Sequence, residues 1–159
     1  MNKESYLTLK KREYPVTIKV LRSMPEAHRD VKPGSKSKTA LELAWIFVTE
    51  ERLIQALLRN EKLGMGATHP ATFAEIIAAY ETAHADTIAM VERMSDAELR
   101  ETAPFFVGPK TPGDIPKIRL AWMLLLDAIH HRGQFSVYLR VADAKVPSIY
   151  GPSADEPWM

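Results

Sequence analysis

The sequence has no cysteine among its 159 residues, which excludes both a disulfide framework and a thiolate metal site. A chain without cysteine fits a reducing compartment, and we expect a cytoplasmic protein. Long hydrophobic runs are missing too. The first residues, MNKESYLTLKKREY, hold no apolar stretch of signal-peptide length, and no later run could span a bilayer. We therefore expect no membrane partner.

An excess of one charge is also absent. Lys and Arg number 21 and Asp and Glu number 20, which leaves a formal net charge of +1. Because nucleic-acid surfaces usually carry a basic stripe, we expect no nucleic-acid partner. The chain has no Ser-His-Asp order, no phosphate-binding glycine loop and no CxxC or HExxH element. What remains is an ordinary globular composition, 46% hydrophobic and 26% charged, which predicts one domain over residues 1–159.

The sequence is rich in helix signals and poor in strand signals. Three segments have the capping pattern in which a Ser or Thr hydroxyl and a Glu carboxylate satisfy free amide groups at a helix start. They are TALE at 39–42, TFAE at 72–75 and SDAE at 95–98. The first two open long helices, the earlier of which ends near Arg59 at the glycine-rich segment KLGMGATHP, and the third opens a short helix. Another helix is predicted before them, around residues 14–21, and is stopped by Pro25.

Prolines and glycines dominate residues 104–116, which predicts a loop. The last long helix should start around Ile115, with Asp114 as its cap, and continue to about Ala142. The tail at 146–159 is irregular by composition. Four long helices in one small chain predict an all-α fold, a four-helix bundle with a long connection and an irregular C-terminal tail.

The last long helix carries polar side chains inside an apolar pattern. Spacings of three and four residues place six residues on one stripe: Leu120, Leu124, Asp127, His131, Gln134 and Tyr138. Since the leucines belong inside a bundle, Asp127 and His131 are expected to point inward. A buried carboxylate costs on the order of several kcal/mol unless it is paired. Spacing favours an ion pair between the two side chains, but the same pair could also bind one metal ion.

The neighbours of His131 have separate expected roles. His130 lies on an adjacent face and is expected at the surface or at a subunit contact. Arg132 is turned away from Asp127 and should pair elsewhere. Gly133 inside a helix costs about 1 kcal/mol relative to alanine, so we expect another helix or chain to pack closely there.

The segment at 130–140, HHRGQFSVYLR, resembles the HHRGQ-x-x-x-YLR signature of DinB-like proteins, a DinB/YfiT-like family distinct from the polymerase that shares the name. Similar segments follow the family order elsewhere: TIKVLRSMPE at 17–26, SKTALELAW at 37–45 and VPSIYGPS at 146–153. The resemblance implies a four-helix bundle, a metal site of three histidines that commonly holds nickel or zinc, and frequent homodimers. Some relatives are thiol-dependent transferases or hydrolases.

One of the three histidines that the resemblance implies is present. His131 is retained, whereas Asp127 occupies the position one turn earlier. Ile46 stands where the second helix usually reads ELAWH. Glu50, one turn after Ile46, could replace the lost ligand, and His84 on the third helix is another candidate contributor. The resemblance therefore implies a partly degenerate metal site.

Two functions follow from these residues. Because Ile46 removes a ligand and makes the pocket wall drier, the favoured prediction is a non-catalytic or repurposed dimer that binds a small molecule. The alternative is a metal-dependent hydrolase or thiol transferase in which Asp127 and His131 hold a divalent ion, nickel or zinc. Gln134 would line the same pocket and orient the substrate.

Overall fold

A computed structural model describes residues 2–61 and 68–159 of the chain. These ranges contain five α-helices, two β-strands and one 3-10 turn at Glu26–His28. The elements are α1 (Lys3–Arg22), α2 (Ala40–Leu58), α3 (Phe73–Arg93), α4 (Asp96–Arg100), β1 (Thr102–Gly108), β2 (Thr111–Pro116) and α5 (Lys117–Val141). No helix in these ranges is long and apolar enough to cross a membrane. The predicted glycine-rich segment falls mostly at 62–67, outside the described residues.

The four long helices pack against one another in pairs. Helix α2 packs against α3 and α5, and α1 packs against the same two helices. The interior has two apolar clusters, one centred on Phe47, Tyr80 and Phe135 and the other on Ile54, Leu120 and Leu125. Helices α2 and α5 contribute to both clusters, so they run side by side, and this pairing positions the site described below.

Local capping chemistry sets most helix starts as predicted. The Thr39 hydroxyl accepts a hydrogen bond from the Glu42 amide at 3.1 Å, and the Glu42 carboxylate accepts one from the Thr39 amide at 2.6 Å. Ser95 and Glu98 form the same reciprocal pair at α4. Helix α1 is longer than predicted, because Asn2 caps it and it continues through Pro15.

The prediction of an all-α fold is wrong at residues 104–116. These residues form most of an antiparallel hairpin of β1 and β2, so the protein is mostly helical with a small two-stranded sheet. Prolines are compatible with this hairpin because each strand of a two-stranded sheet has a free edge that needs no amide donor. Asp114 therefore lies in a strand and does not cap α5. The α5 helix begins at Lys117, whose amide donates to the Glu101 carbonyl at 2.9 Å.

Candidate metal centre

Three side chains meet where α2 lies beside α5. Glu50 comes from α2, and Asp127 and His131 come from α5, and each offers a ligand atom within 4.8 Å of the other two. His131 Nε2 lies 3.7 Å from Glu50 Oε1 and 3.6 Å from Asp127 Oδ2. Ligand atoms about 2.1 Å from a tetrahedral metal stand roughly 3.4 Å apart, so these two distances to His131 are close to those between ligands of one bound ion.

The burial of this group is uneven. The side chain of Asp127 is 53% exposed, against 19% for His131, so the expectation that Asp127 points inward is wrong. The two ends of the predicted stripe, Leu120 and Tyr138, are buried, but between them the interior face of α5 runs through Leu125, Arg132 and Phe135. Asp127 therefore lies at the rim of the helix pair, where solvent and a ligand can reach it.

Glu50 is the buried member of the group. The residue is 7% exposed, and no donor group in the described parts of the chain hydrogen-bonds either of its carboxyl oxygens. Burial raises the pKa of Glu50 to about 9, and a hydrogen bond shared with Asp127 and the charge of the Asp127 carboxylate add to the shift. Metal-free Glu50 is therefore protonated at neutral pH and shares its proton with Asp127, and a cation between the three side chains would replace that proton. Two carboxyl groups and one imidazole form a donor set that fits a divalent metal ion.

A cavity of about 380 Å³ adjoins the group through His131. The lining residues are Pro33, Ser37, Lys38, Leu43, Ile46, His131, Gln134, Val137 and Tyr138. Both predicted pocket residues, Ile46 and Gln134, belong to this lining. The volume falls in the range of small-molecule sites. A ligand in the cavity would lie against an apolar wall at Ile46 and Leu43 and reach the polar group at His131.

The other proposed helper, His84, belongs to a separate buried group. Its Nδ1 lies 3.2 Å from Glu51 Oε1, and its ring stacks on Tyr14 with centroids 4.3 Å apart. Glu51 also pairs with Lys10 at 2.8 Å. His84 is thus a hydrogen-bonded core histidine. Of the two helpers that the sequence suggested, Glu50 is the one beside Asp127 and His131.

The remaining motif residues have structural partners of their own. Arg132 pairs with Glu13 at 2.7 Å and with the Tyr150 hydroxyl at 2.7 Å, which confirms that it pairs away from Asp127. His130 is exposed as predicted. The expectation that another helix packs closely on Gly133 is wrong for the described residues, because a Cβ at this position would meet nothing within 4 Å. The partners of Arg132 were not predicted, because they come from distant parts of the sequence.

The chain is similar to known proteins over nearly its whole length. It is 28% identical over 147 residues to the uncharacterized protein YrdA of Bacillus subtilis, covering 91% of this chain and 85% of that protein. A solved DinB-like protein from Bacillus cereus has a TM-score of 0.78 at 22% identity, covering 92% of this chain and 97% of that chain. The DinB-like protein YjoA from Bacillus subtilis has a TM-score of 0.73 at 17% identity, covering 98% and 99%. The model of the DinB family matches residues 1–158, a span that includes both the HHRGQ segment and α2. Because this match covers nearly the whole chain, the chain belongs to the DinB family.

Proposed function

We propose that this DinB family protein binds one divalent metal ion through Glu50, Asp127 and His131, at the rim of a bundle made by its four long helices. The observation that carries the proposal is the buried Glu50 carboxyl group, which has no donor group beside it and offers a ligand atom within 4.8 Å of those of Asp127 and His131. This is the metal-dependent alternative of the two sequence-based predictions. Glu50 supplies the third ligand that the change to Ile46 would otherwise remove.

The three proposed ligands would suit a catalytic metal site as well as one that only binds the ion. Three protein ligands leave coordination positions open, as catalytic zinc sites do. A divalent ion in such a site polarises a substrate oxygen or lowers the pKa of a bound water or thiol. Two carboxylates and one imidazole are ligands that zinc, manganese, iron and nickel all accept. The reaction class that fits is hydrolysis or thiol transfer, in line with the resemblance.

The cavity beside the group defines where a substrate would lie. Leu43, Ile46 and Val137 give it an apolar wall, and His131 marks its polar end. The apolar side chains exclude water from that wall. The polar end lies near Asp127, whose side chain is exposed at the rim, so solvent and substrate can reach it. The substrate we propose is a small molecule with an apolar part and a polar group that faces the ligand set.

A second candidate function is metal-free binding of a small molecule, and Ile46 is the observation that favours it. Ile46 is partly buried, packs against the core and lines the cavity at the position where the family signature has a histidine. In this function, Glu50 stays protonated beside Asp127, and the cavity binds its ligand without chemistry. The homodimer stays a prediction in both cases.

Elemental analysis of untagged protein separates the two candidates. After dialysis against excess zinc, nickel or manganese and then against buffer, we expect about one ion per chain, as for a single three-ligand site. His131→Ala should lose that ion, because it removes the sole nitrogen ligand of the group. His28→Ala is the matched control, since His28 is an exposed histidine that does not belong to this group. A wild-type chain that retains no metal would support the metal-free function.

Replacing Ile46 by histidine should raise the metal affinity by roughly tenfold or more. The new imidazole would lie one turn before Glu50 on α2, where it can add a fourth ligand to the set. Competition with a coloured chelator measures the change, and Ile46→Leu controls for altered packing. Equal affinities in the histidine and leucine variants would show that position 46 faces only the cavity.

A further inference from the structure

Gln134 makes two contacts that a role in orienting substrate does not explain. Its side-chain oxygen Oε1 lies 2.9 Å from Nδ1 of His131. Its amide nitrogen Nε2 lies 2.8 Å from Nε2 of His130. The three residues are three and four positions apart on α5, so the helix itself brings their side chains together. The amide thus bridges the two adjacent histidines.

The direction of these hydrogen bonds follows from the donors and acceptors available. An amide oxygen only accepts, so Nδ1 of His131 carries a proton and donates it. An amide nitrogen only donates, so Nε2 of His130 is an unprotonated acceptor. With its one proton on Nδ1, neutral His131 has its lone pair on Nε2. This is the atom that lies 3.7 Å from Glu50 and 3.6 Å from Asp127.

The opposite orientation of the amide would not serve a metal site. If Gln134 turned its nitrogen toward His131, the Nδ1 atom would have to accept, and the ring proton would move to Nε2. A protonated Nε2 cannot bind a metal ion, and outer hydrogen bonds are a common way to fix the tautomer of a ligating histidine. His130 accepts from the amide nitrogen here and, in its other tautomer, could donate to the amide oxygen, so the 2.8 Å contact holds the Gln134 side chain in place in either orientation.

We propose that Gln134 and His130 are positioning residues of the metal centre. His130 holds the Gln134 side chain beside His131, and the Gln134 oxygen, by accepting from Nδ1, favours the His131 tautomer that presents Nε2 to the ion. This inference rests on the proposed metal site, and it gives the first histidine and the glutamine of the HHRGQ segment one shared task. Both side chains are exposed, so replacing them removes these hydrogen bonds without opening the core.

Nitrogen-15 NMR of the histidine rings in metal-free protein at pH 8 tests the tautomer directly. In the wild type we expect the Nδ1–H form of His131, with its signals assigned by their loss in His131→Ala. Gln134→Leu should shift His131 toward the Nε2–H form, because the acceptor is gone. Gln134→Glu keeps an acceptor oxygen and should keep the wild-type tautomer. A wild-type His131 in the Nε2–H form would overturn the inference.

Zinc titrations of the same proteins test the consequence for binding. Gln134→Leu should weaken zinc binding by about threefold to tenfold, a range set by one hydrogen bond that water can partly replace. Gln134→Glu should bind zinc at least as tightly as the wild type. His130→Ala should lose less affinity than Gln134→Leu. Ser136→Ala, the control on the same helix, should leave the affinity unchanged. If Gln134→Leu bound zinc as tightly as the wild type, the positioning role of Gln134 would be overturned, but the metal centre would not. Absence of zinc binding in the wild type would overturn the metal centre itself and this role with it.

Discussion

Replacing Glu50 by glutamine should stabilise the metal-free protein and abolish metal binding. Burial raises the pKa of Glu50 to about 9, whereas an unfolded glutamate titrates near 4.3. Between those values the folded chain keeps a proton that the unfolded chain has lost, so the free energy of unfolding falls as the pH rises. At about 1.4 kcal/mol per pH unit, the wild type loses up to about 4 kcal/mol by pH 7. Glutamine does not ionise, so the variant avoids this loss.

Urea unfolding in the presence of a chelator, at pH 4.5, 7 and 8.5, measures this effect. The difference between Glu50→Gln and the wild type should be small at pH 4.5 and should grow with pH. In the same samples without chelator, calorimetry with zinc should show binding in the wild type and none in the variant, because an amide is a much weaker ligand than a carboxylate.

Glu51, the next residue in α2, provides a matched control whose expected effect on the free energy of unfolding is opposite in sign. Glu51 is buried like Glu50, but it pairs with Lys10 at 2.8 Å and accepts from His84 at 3.2 Å. Glu51→Gln would leave the buried Lys10 ammonium without its charge partner, so it should destabilise the protein at pH 7. If Glu50→Gln destabilised the protein by a similar amount, Glu50 would have a partner of its own and the argument for a cation would fail.

The helices could be predicted from the sequence because their signals are local. Thr39 with Glu42, and Ser95 with Glu98, satisfy amides only three residues away, so the pattern in the chain is also the pattern in space. The hairpin could not be predicted this way. Its prolines and glycines are typical of loops, and its strands are stable only through pairing with each other, as in the register that joins Phe105 to Gly113.

The candidate site was predictable only in part. Asp127 and His131 are one helical turn apart, so their proximity follows from helix geometry. Which face of α5 points inward does not, because apolar residues occur all around the helix: Met123 and Leu126 are 42% and 52% exposed. The burial of Glu50 beside Asp127 and His131 depends on how α2 packs against α5. The residues that surround each position in the sequence do not indicate a contact between such distant segments.

A large loss of stability is expected for Arg132→Met. The Arg132 side chain is 1% exposed, and its Nη2 donates to the Glu13 carboxylate and to the Tyr150 hydroxyl, each at 2.7 Å. Tyr150 in turn donates to Glu13 at 2.6 Å. Methionine fills a similar volume but removes the buried cation, which leaves Glu13 with the exposed Arg12 at 3.0 Å as its charged partner. Removing one partner of a buried pair costs about 3–5 kcal/mol, which is a large share of the stability of a domain of this size.

The pH dependence distinguishes this mechanism from a packing defect. Burial alone would raise the pKa of Glu13, but hydrogen bonds from Tyr150 and Arg132 outweigh it and hold the pKa below its usual range. In the wild type, Glu13 therefore contributes stability above its unfolded pKa, and this contribution is lost as the pH falls through the folded value. Arg132→Met removes one of these hydrogen bonds and the buried positive charge, so the folded-state pKa of Glu13 should rise, and the deficit against the wild type should shrink as the pH falls toward 4. Urea unfolding at pH 4, 5.5 and 7 gives the test. A stability deficit that is equal at every pH would indicate lost packing instead. Because Glu13→Gln removes the buried charge, combining it with Arg132→Met should recover part of the lost stability at pH 7.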